Sequence, residues 1–348
     1  MAVRKARILI LYTGGTFGMD ADTLAVPELS PTQLERRLLK RVPELPQIAQ
    51  CRVKIVMNRD SAHLGPPDWV EIAQTIQEHW QAYDGVVVLH GTDTLSYTAS
   101  ALSFLLRPCR IPVVLTGAQR PLAAIRSDAR RNLISAVELA AHEAGQSHRS
   151  LSQVSVFFNE ILFQGNRARK RSAVDFAGFE SPKAPALARV GTSIQVFGKG
   201  SMARGKASRL GKAPRFEPSF SSKVLMLHLT PGFPSGAVQR LLPSLEGLVL
   251  VAFPSGTAPT HQPEFHELLH AAQVRGLPVM VVTEGVGVTG SEYRAGKEML
   301  SAGCLWSGAM TPECAYVKAS LLLGQKNGRK DLLKWWNIEL ANEGSSQR

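Results

Sequence analysis

The chain has 348 residues, a formal net charge of +12, four cysteines and a mean hydropathy of −0.03. That length holds one large or two ordinary domains, and no apolar run approaches the ~20 residues that a membrane helix needs. No small-residue cleavage site follows the short apolar stretch near the N-terminus, and Cys51, Cys109, Cys304 and Cys314 form no C-x-x-C pair or metal-ligand spacing, so a reducing, cytoplasmic setting is expected.

The elements alternate in chain order. An apolar run, Ile8-Leu9-Ile10-Leu11-Tyr12, sets a strand over 7–12 and leaves it through Thr13-Gly14-Gly15-Thr16. A glycine-rich turn after a first strand suggests phosphate binding. Here no third glycine at dinucleotide spacing and no Gly-Lys-Ser/Thr follows, so the two hydroxyls need another purpose. A strand over 52–56 precedes "NRDSAHLGPPDW". A helix over 68–83 puts Trp69, Ile72, Ala73, Ile76, Trp80 and Tyr83 on one face. A strand over 85–90 runs into Gly91-Thr92-Asp93-Thr94 and an apolar helix over 94–106. A strand over 112–116, a helix over 128–144 capped by Gly145 and a strand over 154–158 follow. This alternation implies a parallel sheet with helices on both faces.

Residues 165–215 hold twelve Lys/Arg against two acids, Asp175 and Glu180, so the positive charge is local. The periodicity dissolves at Gly198, and Gly, Ser, Lys and Arg dominate as far as Ser222. Without interleaved aromatics to stack bases, this reads as a basic flexible connector over 198–221, and nucleic acid is not an expected partner. Beyond it come strands over 223–229, 248–253 and 278–283, with helices over 235–242, 262–275 and 312–323. Two α/β domains are therefore expected, 1–197 and 222–348.

Ligands of doubly wound sheets bind outside the carboxyl ends of the strands, where strand order reverses. Two strand-end turns bearing Gly and Thr, one with an Asp, can meet there. Threonine is a nucleophile when a base takes its proton. Glycines let backbone N–H groups face an oxyanion. An acid binds a substrate ammonium, and a buried lysine serves as a proton partner. These parts suit amide hydrolysis. Taken singly, each turn also reads as a tight, helix-capping loop, and Lys170, inside a basic run, as solvated surface.

Taken together, Thr-Gly-Gly-Thr and His-Gly-Thr-Asp-Thr resemble the asparaginase/glutaminase family. "DGVVVLHGTDTLSYTASALSFLL", "TGAQRPLAAIRSDARRNLISA" and "FFNEILFQGNRARK" are similar to the bacterial cytosolic, type I L-asparaginases. The resemblance implies a larger flavodoxin-like, doubly wound domain and a smaller α/β, Rossmann-like C-terminal domain. It implies that Thr16 attacks the side-chain amide of L-asparagine to form an acyl-enzyme. Thr92, Asp93 and Lys170 match the second catalytic group, and Asp93 also binds the α-ammonium. Asp60, Ser61 and Ala62 match the turn that holds the substrate carboxylate. No cofactor and no metal are implied, no membrane association, and a dimer or tetramer with sites at subunit contacts.

Some positions depart from the family pattern. Ala25 stands where a loop tyrosine is usual, with Tyr293 as a conceivable substitute. Thr257 replaces a common Asn and Ala309 a common Asp. Val251 stands where some members carry the arginine of an allosteric asparagine site, so that site is not expected here. The departures leave open a diverged member acting on glutamine or D-asparagine, or one that only binds an amino acid.

Overall fold

The first strand is apolar on both faces because it lies inside a parallel sheet. The computed structural model describes residues 4–20, 30–145, 150–197, 215–286 and 293–344. The chain divides into two compact units, Met1–Ser208 and Arg209–Arg348.

In the first unit, β1 (Arg7–Gly14), β2 (Gln50–Arg59), β3 (Gly85–Leu89), β4 (Val113–Thr116) and β5 (Val154–Phe158) run parallel in the order β5-β4-β3-β1-β2. That is the flavodoxin-like order 2-1-3-4-5. Alternate residues of β1 feed two cores. Ile8, Ile10 and Tyr12 pack with Leu34 and Leu38 of α1 (Pro31–Arg41), Leu45 of α2 (Leu45–Ile48) and residues of the Ala129–Ala141 helix. Leu9 and Leu11 pack on the other face with α3 (Pro66–His79) and α4 (Leu95–Leu105). The sheet is thus covered on both sides, as the strand–helix alternation implies.

The sheet is not wholly parallel. After β5 the chain reverses through Asn159 and Glu160, both at positive φ, into β6 (Ile161–Gln164). Two positive-φ residues suit a two-residue hairpin. The strands β9 (Ala188–Val190) and β10 (Ile194–Val196) extend this antiparallel edge. In the chain between β6 and β9, β7 (Arg169–Lys170) and β8 (Phe179–Glu180) form a separate two-stranded ribbon.

The second unit has four parallel strands in chain order, β11 (Val224–His228), β12 (Gly247–Ala252), β13 (Val279–Thr283) and β14 (Leu305–Trp306). The helix Pro312–Leu323 carries Lys318, which is 1% exposed and paired at 2.5 Å with Glu343, which is fully buried. Lys318 Nζ also donates to the carbonyls of Trp336 and Ile338, both at 2.8 Å. Residues 336–343 are thereby tied to this helix.

Residues 198–214 of the expected connector lie outside the described residues. Residues 215–221, which composition assigned to the same connector, are instead held on the second unit. Gln325 exchanges two hydrogen bonds with the Glu217 backbone, and Ser221 N donates to Ser320 O at 2.8 Å. A polar stretch that caps a helix end needs no apolar period to be fixed in place.

Candidate active site

Strand order reverses between β1 and β3, so the turns that leave these strands face one crevice. Their approach is close enough to require glycine. A Cβ on Gly15 (φ +79°) would lie 2.4 Å from Gly91 Cα, and one on Gly14 (φ +111°) 2.2 Å from the Arg59 carbonyl oxygen. The turns after β1, β2 and β3 are thereby in mutual contact, since a Cβ on Gly91 would meet Ser61 Oγ at 2.7 Å.

The two hydroxyls of the first turn have different fates. Thr13 is fully buried and its Oγ1 donates to Leu89 O at 3.0 Å, which ties β1 to β3. Thr16 is half-buried at the start of a 3-10 turn, Thr16–Gly18. Its hydroxyl makes no hydrogen bond to another described residue. Beneath the turn, the Tyr12 phenol lies so near Gly18 that a Cβ there would be 1.9 Å from it. Burial pushes the Tyr12 phenol up to about 12, against a lowering pull from Arg37, so it stays neutral.

After β3, Thr92 is buried and Asp93 exposed. Lys170 Nζ donates to Thr92 Oγ1 at 2.7 Å and to Asp93 Oδ1 at 2.6 Å. The lysine side chain is only 18% exposed, while that of Asp93 is 66% exposed. Lys170 is thus set apart from solvated surface by its hydrogen bonds, despite its basic neighbours.

After β2, the Asp60 carboxylate caps the turn Ser61–His63 by accepting from Ala62 N at 2.9 Å. Ser61 is 2% exposed, and its carbonyl accepts from Thr94 Oγ1 at 2.7 Å. Arg59 pairs with Asp68 at 2.8 Å and steadies the end of β2 against α3. Of the substrate-turn candidates Asp60, Ser61 and Ala62, Ser61 lies against Gly91, while Ala25 lies outside the described residues. Tyr293 belongs to the second unit and is 53% exposed.

Sequence reasoning missed His90. It is fully buried, with Nδ1 at 2.6 Å from Gly91 O and Nε2 at 2.9 Å from Thr98 Oγ1. Burial pushes it down to about 4, against upward pulls from the Gly91 hydrogen bond and the Asp68 charge. The ring is therefore neutral near pH 7. A carbonyl only accepts, so Nδ1 carries the proton and Nε2 accepts from Thr98. His90 thereby fixes the turn that presents Thr92. The only signal for it in the sequence was its place before Gly91. Among the described residues no group of three or more His, Cys, Asp or Glu is arranged to hold a metal ion, and no helix is long and apolar enough to cross a membrane.

The fold and the site define an α/β protein with hydroxyl, carboxylate and ammonium groups gathered at a flavodoxin-type switch point. Residues 7–201 match the family model "Asparaginase, N-terminal", and residues 223–335 match "Glutaminase/Asparaginase C-terminal domain". The chain belongs to the asparaginase family. It is 32% identical to L-asparaginase 1 of Escherichia coli K12 over 347 residues, covering 98% of each chain. It is 35% identical to the mouse 60 kDa lysophospholipase, over 94% of this chain but only 61% of that protein's own length. The crystal structure of L-asparaginase I from Vibrio cholerae superposes with a TM-score of 0.82 at 32% identity, covering 99% of this chain and 100% of that one.

Proposed function

We propose that this chain is an amidohydrolase that converts L-asparagine and water to L-aspartate and ammonia. Thr16 Oγ1 attacks the side-chain amide carbon, its proton leaves with the departing ammonia, and an acyl-enzyme remains. Water, activated at Thr92, then releases aspartate. Lys170 donates to Thr92 Oγ1, which turns the Thr92 hydroxyl proton away from the lysine and orders its lone pairs. Asp93, partly open to solvent, takes the substrate ammonium. The turn Asp60-Ser61-Ala62 holds the carboxylate end.

The observation that carries this reading is the 2.6–2.7 Å Lys170–Thr92–Asp93 cluster, on the turn that Gly91 packs against the Thr16 turn. The relatives named above as L-asparaginases support it over the full chain. Four cysteines without a disulfide accord with a cytoplasmic setting, and a dimer or tetramer is proposed by analogy with the family.

Ammonia release assayed on L-asparagine, L-glutamine and D-asparagine tests the reaction and its substrate together. Turnover on L-asparagine should exceed that on the other two. Thr16→Ala should abolish release from a folded protein, and Thr16→Ser should keep part of it. Wild-type turnover in folded Thr16→Ala overturns the mechanism. Release from D-asparagine or L-glutamine alone would establish a diverged substrate.

A further inference from the structure

Lys170 does not stand on the main sheet. It ends β7, and the loop 171–178 that joins β7 to β8 has to hold it in the crevice. That loop is closed on itself: Arg171 N donates to Gly178 O at 2.8 Å, and Ser172 Oγ accepts from Val174 N and Asp175 N at 3.2 and 3.0 Å. One side chain enters it from outside. Gln119 Nε2 donates to Ser172 O at 3.0 Å and to Asp175 O at 2.9 Å. Gly178 makes room for this amide, since a Cβ there would lie 2.6 Å from Gln119 Nε2.

Gln119 is itself held. The buried Asp128 carboxylate accepts from Gln119 N through both oxygens, at 3.1 and 3.0 Å, and from Arg120 N at 3.1 Å. Asn132 Nδ2 donates to Asp128 and, at 3.0 Å, to Gly117 O. Gly117 abuts Thr92, whose Cγ2 would be 3.3 Å from a Cβ at position 117. One loop after β4 therefore touches both partners of the central hydrogen bond: Thr92 through Gly117, and the Lys170 hairpin through Gln119.

We infer that Gln119 is a positioning residue that clips the Lys170 hairpin to the β4 loop and so sets the Lys170–Thr92 distance. This rests on the reading of the site as an amidohydrolase centre. Gln119 hydrogen-bonds Asp128, Ser172 and Asp175 and none of Thr16, Thr92, Asp93 or Lys170, so its removal should act on proton transfer rather than on binding.

Gln119→Met keeps the volume and removes both donated hydrogen bonds. It should lower kcat on L-asparagine about 10-fold, because a misplaced proton partner forfeits part of the ~10²–10⁴-fold that acid–base help supplies, with KM within 2-fold. Hydrogen exchange in a peptide spanning 169–180 should quicken in parallel. Gly178→Ala in the wild type should give the same pattern, because its methyl displaces the amide. In a Gln119→Ala background Gly178→Ala should add less than 2-fold, since the severe contact at 2.6 Å is gone and only the milder approaches to Ser172 O at 3.1 Å and Asp175 O at 3.3 Å remain.

Additive losses from the two substitutions would overturn the clip, as would a fall in kcat with unchanged exchange over 169–180. Exchange is read without turnover. If wild-type protein hydrolyses none of the amides tested while Gln119→Met and Gly178→Ala both quicken exchange non-additively, the clip stands and the amidohydrolase reading fails.

Discussion

Arg169, Lys170 and Arg171 are alike as letters and unlike as neighbours. Only Lys170 reaches Thr92 and Asp93, so Lys170→Met should cost about 10²–10⁴-fold in kcat on L-asparagine, while Arg171→Met costs little. Equal losses at both positions, read by steady-state kinetics, would reduce Lys170 to general surface charge. Nothing in the triplet told the two apart; the resemblance to a family did. Thr16 and Thr92 stood out as threonines in glycine-bearing turns at strand ends, but each turn alone also read as a capping loop, and it was the pair of motifs together that gave them a role. His90 was not, because its role depends on two hydrogen bonds that only folding creates. That role has a pH signature. His90 titrates near 4 when folded, against ~6.5 in an unfolded chain. Above ~6.5 it is neutral in both states and its contribution to stability is complete. As pH falls from ~6.5 to 4 the unfolded chain binds a proton that the folded protein refuses, and stability drops by about 1.4 kcal/mol per pH unit, about 3 kcal/mol in all. Urea unfolding at pH 7.5 and 5 should show a larger loss in wild type than in His90→Gln. The same loss in both would mean that other groups govern the acid limb.

Among the elements, the crevice depends on backbone approach more than on any side chain. Gly15→Ala should both abolish activity and lower stability by about 2–5 kcal/mol, since a left-handed conformation and a clash with Gly91 add together. Gly236, in the helix Ser235–Leu241 with open space around it, provides the contrast. There Ala should be neutral or stabilise by up to about 1 kcal/mol. Thermal melts of both variants decide the matter, and a harmless Gly15→Ala would sink the packed-turn account. The elements with strong period were readable. The strand Val154–Phe158 and the helix Pro312–Leu323 have the bounds that the sequence implied, and the other parallel strands differ at their ends by a few residues, except the two-residue β14, which the sequence reading did not include. What escaped was short or locally encoded. The two-residue strands β7 and β8 are too short for any periodicity, yet they carry Lys170. α1 starts at a capping box, with Ser30 Oγ accepting from Gln33 N and Ser30 N donating to Gln33 Oε1. That signature was present in the letters and masked by the basic, weakly apolar helix behind it.

At the scale of the molecule, the second unit depends on a charge pair where apolar packing would be expected. Burial pushes the Glu343 carboxyl up, but Lys318 and the N–H groups of Leu340 and Ala341 overcome this and hold it below the usual carboxylate range. Glu343→Gln leaves a buried ammonium without its counter-charge. It should cost about 3–5 kcal/mol, seen as earlier unfolding of the second unit in denaturant, whereas replacing Lys318 and Glu343 together with apolar residues of similar size should restore much of the loss. An unchanged transition in Glu343→Gln would show that the pair is dispensable. In the first unit, by contrast, work is divided between two pieces of backbone. Thr16, Thr92, Asp93 and the Asp60–Ala62 turn sit at the ends of main-sheet strands, while Lys170 arrives on a separate ribbon fastened from the side. On the proposed reading, the substrate-holding groups and the nucleophile thus share one framework, and only the proton partner comes from another. On that reading, loosening one small ribbon should slow the consumer of a ligand while leaving the seat that receives it intact.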